Sequence, residues 1–141
     1  MRRRGIVVAV LAAAFAAAAV PALGNVVAGH YSGTTTQGFE VETSVAHSEH
    51  GGYVMRFINA TVRVHCSSTG KNLTQSVHYG SAPIGAHGTA TFRREGGDLT
   101  VHGSVHFHAS GATGYVGART GAGSHFCSGS TRFEVHRFIE H

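Results

Sequence analysis

Apolar and polar residues alternate along most of this chain in short runs, and glycine-bearing breaks separate the runs. Phe39-Glu40-Val41-Glu42-Thr43-Ser44-Val45 keeps a period of two, and so does Val101-His102-Gly103-Ser104-Val105-His106-Phe107-His108. That period belongs to an extended strand with one buried face, whereas a helix repeats its apolar positions every three to four residues. Helix signals are missing from Gly29 onward. The constraint on the fold is therefore strong: an antiparallel all-β domain built from short strands and tight turns.

Tyr53 to Cys66 reads as one long strand with an irregularity. Ile58, Ala60, Val62, Val64 and Cys66 share one face, while Tyr53, Met55 and Phe57 have the opposite parity. A kink near Phe57 to Asn59 reconciles the two halves. Further strands are expected at Leu73 to Tyr79, Thr89 to Arg94, Leu99 to Ala109, Tyr115 to Thr120 and Thr131 to Phe138. Glu95-Gly96-Gly97-Asp98 is the clearest hairpin turn. Gly80 to Gly88, which contains Pro83, reads as a connecting loop. Gly111 and Gly114 are expected to bracket a reversal, and Gly121-Ala122-Gly123 a flexible loop. Seven to nine strands without crossover helices fit a β-sandwich or a small β-barrel, and the sequence leaves both open.

The chain of 141 residues begins with Arg2, Arg3 and Arg4, then an apolar run from Ile6 to Val20, then Val20-Pro21-Ala22-Leu23-Gly24. This is the layout of a removable signal peptide, residues 1–24, which predicts a secreted or extracytoplasmic protein. General secretion fits the alanine-rich core, and Arg3-Arg4 also matches the twin-arginine form. The run is short of the roughly 20 apolar residues that a spanning helix needs, so no transmembrane segment is expected. Residues 25–141 then form a single domain.

Eleven Lys and Arg against seven Asp and Glu give the whole chain +4, but three of the arginines belong to the leader. The remaining 8 basic and 7 acidic residues leave +1, spread without a basic stripe, so a nucleic-acid partner is not expected. Two cysteines in an exported chain admit one pairing, the disulfide Cys66 to Cys127.

Tyr31-Ser32-Gly33-Thr34-Thr35-Thr36-Gln37-Gly38, then Cys66, Pro83-Ile84, Cys127-Ser128-Gly129 and Phe133 follow one another in an order similar to that of a group of small secreted proteins of actinobacteria. The resemblance spans nearly all of residues 25–141. It implies an all-β secreted domain and, because its landmarks are turn glycines and cysteines, no particular chemistry. This chain departs from the group's pattern in carrying histidines where arginines are usual.

All twelve histidines fall after the leader. On the strand from Val101 to His108, His102, His106 and His108 share the face opposite Val101, Val105 and Phe107, so they face solvent. The same alternation puts His65, His78 and His136 on polar faces. His106 and His108, about 7 Å apart at the backbone, are the candidate metal ligands, for zinc or copper, with His136, Glu134 or His125 as candidate third donors. His102 lies about 13 Å from His106 and needs a bulge to join them. Alternatively the imidazoles act through charge: they gain protons below about pH 6, which draws the protein to acidic cell-envelope polymers or membranes and releases it at neutral pH.

Catalysis is not expected. Glu40 with Glu42, and Glu95 with Asp98, read as solvated carboxylates, no serine sits in a G-x-S-x-G elbow, and Gly121-Ala122-Gly123 lacks the context of a nucleotide loop. The expected role is a disulfide-stabilised binding or structural module at the cell envelope, with no cofactor. The competing expectation is a histidine-dependent metal-binding protein.

Overall fold

The computed structural model describes residues 26–138, so the expected signal peptide, residues 1–24, lies outside the described residues. Within them are nine strands and no helix: β1 Gly29–Thr35, β2 Glu40–His47, β3 Tyr53–Cys66, β4 Asn72–Tyr79, β5 Ala82–Ile84, β6 Thr89–Gly96, β7 Leu99–His108, β8 Gly111–Ala122 and β9 His125–Arg137. All pair antiparallel in one sheet of order β4-β3-β2-β1-β9-β8-β7-β6, and β5 pairs with β3 on the edge that β4 leaves free.

The sheet curls until its two ends meet. Arg94 Nη2 on β6 donates to the His78 carbonyl on β4 at 2.8 Å, and the rings of Phe92 and Tyr79 lie 4.9 Å apart across the same seam. Inside the curl sits one apolar cluster that draws on every strand, with Tyr31, Met55, Ile58, Val62, Val105, Phe107, Val116 and Val135 fully buried. One curled sheet around one core is a barrel-like solution rather than two stacked sheets. No ladder joins β6 to β4 among the described residues.

β3 shows why its two halves differ in parity. Its pairing with β2 shifts between Ser44 and Val45, which face Phe57 and Met55, so Arg56 is an extra residue with no partner. This bulge, one residue earlier than the alternation alone places it, turns both Met55 and Ile58 into the core. The 95–98 turn closes as expected, with Gly96 paired to Leu99 and only Gly97 and Asp98 between them. Gly97 takes φ +58°, the left-handed value that a two-residue hairpin of this kind requires at its first position.

Three expectations about loops need correction. Gly111 and Gly114 lie inside β8, and the reversal is at Ala109 and Ser110. β8 and β9 are also longer than their alternation indicated, and they turn at Gly123 and Ser124. The stretch around Pro83 contains β5, whose Ala82 and Ile84 are buried while Pro83 faces outward. A proline is tolerated there because β5 is an edge strand. β1 carries only Tyr31 as a large apolar side chain, and its phenol donates to the Val27 carbonyl. Burial raises the pKa of that phenol and keeps it protonated, although the nearby Arg137 charge acts the other way.

The disulfide Cys66–Cys127 is formed. It sits where β3 and β9 run on past the end of the β1–β2 hairpin and pair with each other through His65–Ser128 and Cys66–Cys127. At the hairpin tip, Gln37 Oε1 accepts from the Arg63 amide at 2.8 Å, satisfying a β3 donor that β2 no longer reaches.

Candidate functional site

An open groove of about 1060 Å³ runs across the outward side of β1, β9, β8 and β7. Strand register builds its floor. One row across the sheet is Thr34, Glu134, Thr113 and His106, and the next is Arg132, Tyr115 and Ser104. Thr36 and Ser130 line the groove as well. Each is an outward position of a strand or, for Thr36, of the turn after β1, so the alternation that buries Val105, Val116, Phe133 and Val135 also presents these polar side chains to solvent.

Tyr115 is 44 % exposed, one of the few large apolar side chains left at the surface. The imidazole of His102 meets it at 6.1 Å in an edge-on arrangement. That imidazole can lie down on β8 because residue 117 is glycine: a Cβ there would stand 2.6 Å from His102 Cε1. Beside Tyr115, Arg132 enters neither of the two ion pairs found among the described residues, which are Arg93–Glu95 at 2.6 Å and His136–Glu134 at 3.3 Å. The Glu134 carboxylate is thus turned along β9 towards His136.

The structure puts His106 and His108 on one outward face, as alternation requires, and gives each its own local partner. His106 Nδ1 is 3.1 Å from Thr89 Oγ1 on β6, and His108 Nδ1 is 3.3 Å from Ser110 Oγ in the turn. The expected third donors are separated from them. His136 is in register with Gly111, and so is His108, so β8 stands between them and two strand spacings, about 10 Å, part their backbones. Thr113 stands in the same way between His106 and Glu134, and His125 is at the other end of β8. The β7 ladders run without a bulge, which keeps His102 apart from the pair. Among the described residues no group of three or more His, Cys, Asp or Glu is placed to hold a metal ion. Two imidazoles alone fall short of the four ligands that tetrahedral zinc takes.

His65 and His78 lie elsewhere, pairing with Asn72 and Asn59 across β3 and β4. Of the carboxylates, Glu95 is held by Arg93, and Glu40 and Glu42 are exposed on β2. The residues that sequence reading passed over are Tyr115, Arg132, Ser104 and Thr113. Their outward orientation was legible from neighbouring core residues, but their convergence was not, because it depends on β9 lying between β1 and β8.

No protein-family model, curated protein or solved structure matches this chain.

Proposed function

We propose that this is an extracytoplasmic, non-catalytic binding module whose groove holds a polymer of the cell envelope. The observation that carries the reading is the groove itself: an open face where an exposed aromatic ring, an arginine outside the ion pairs of the described residues and a row of hydroxyls stand together. An N-terminal stretch laid out like a signal peptide, the disulfide and the resemblance of the landmark order to that of small secreted actinobacterial proteins support an exported domain. An open, shallow shape suits an extended chain better than a small substrate, which a deeper and more apolar cavity would enclose.

Protein sedimented with purified envelope material tests the reading. The Tyr115→Ala/Arg132→Ala variant is expected to lose at least ninety per cent of bound protein, about 1.4 kcal/mol, while Leu73→Ala on β4 leaves retention unchanged. Equal retention of the double variant contradicts the reading.

A further inference from the structure

We infer that the groove takes an acidic saccharide, a sugar chain carrying carboxylates, with a ring stacked on Tyr115 and an acid group paired with Arg132. The inference rests on the reading of the groove as the binding face, and it goes on to name the ligand class.

The arginines supply the first argument. Arg93 is bonded to Glu95, Arg94 donates to the His78 carbonyl and lies over Tyr79, and Arg63 and Arg119 lie over Phe39 and Phe126. Arg137 is half-buried against Gly29. Arg56, exposed on β3, and Arg132 have none of these engagements among the described residues, and of the two it is Arg132 that stands in the groove, in register with Tyr115. The nearest carboxylate on its strand, Glu134, is turned to His136. A guanidinium left open in this way presents a planar fork of donors that matches a carboxylate.

Tyr115 supplies the second. An exposed phenol held edge-on by His102 offers a flat apolar face with a polar rim, which suits a sugar ring, itself apolar on its C–H face and polar at its edge. Around it, the hydroxyls of Thr34, Ser104, Thr113 and Ser130 take no part in side-chain hydrogen bonds among the described residues, leaving donors and acceptors for ring hydroxyls. A ringless polyanion would use Arg132 and leave Tyr115 idle. A neutral sugar would use Tyr115 and leave Arg132 idle.

Calorimetric titration of the protein with three probes separates these cases: a galacturonate hexasaccharide, the uncharged galactose hexasaccharide, and poly(glycerol phosphate). The galacturonate chain is expected to bind at least tenfold more tightly than either of the others. Arg132→Gln should erase its advantage over galactose, Tyr115→Ala should weaken it at least tenfold, and Tyr115→Phe should retain it. Both side chains are exposed, so thermal unfolding of each variant should match the parent. Poly(glycerol phosphate) bound as tightly and unaffected by Tyr115→Ala overturns the saccharide assignment, and so does galacturonate binding indifferent to both residues. If envelopes still retain the protein through Tyr115 while both sugar chains fail, the ligand class is wrong and the binding face stands. If retention fails too, both are wrong.

Discussion

Protein lacking the disulfide, as Cys66→Ser/Cys127→Ser, is expected to unfold on the order of 15 °C below the parent. The bond closes a loop of 61 residues, which in the chain-entropy treatment is about 4 kcal/mol, and a domain of this size shifts by roughly 4 °C per kcal/mol. Position adds to length. The bond lies on the ladder that pairs β3 directly with β9, two residue pairs helped by Ser67, whose amide and hydroxyl both donate to the Phe126 carbonyl. Without the sulfur link that short ladder has little to hold it, and the hairpin of β1 and β2 loses its clamp. Parallel thermal scans of the parent with and without reductant should show the same difference. Identical midpoints would mean that the closure is held by other contacts.

Gly114→Ala is the second large effect, a loss of about 2 to 3 kcal/mol and on the order of 10 °C in Tm. A Cβ at residue 114 would stand 2.2 Å from the Ser104 carbonyl oxygen on β7 and 2.9 Å from the Phe133 ring. The first of these is backbone held in the β7–β8 ladder and cannot swing away. Gly80→Ala is the control, since nothing lies within 4 Å of the Cβ it would add, and it is expected to be near neutral. Were residues 111 to 114 a surface reversal, the two substitutions would behave alike in a thermal melt.

Gly114 also marks where sequence reading reached its limit. The all-β class, the solvent-facing histidines of β7 and the cysteine pair were legible because each rests on local alternation or on a single pairing. The kink in β3 was legible within a residue for the same reason. Glycines 111 and 114 were misread because glycine's local meaning is a turn, whereas here each is required by backbone on a neighbouring strand. β1 carries too few apolar residues to announce itself, and it is a strand because β2 and β9 flank it.

The site followed the same division. His106 and His108 were correctly placed on one face, yet what surrounds them is decided by Thr89, Thr113 and Gly111 across the ladders. The groove joins Thr34 to Glu134, residues a hundred positions apart, through the placement of β9 beside β1. No spacing rule along the chain contains that neighbour relation.

Amide chemical-shift mapping of the isotopically labelled domain, titrated with solubilised envelope polysaccharide, tests the binding face most directly. The largest shifts are expected on Ser104, His106, Thr113, Tyr115, Ser130, Arg132 and Glu134. Shifts centred on β4 around Leu73, or on the outward positions of β2 and β3, would contradict it.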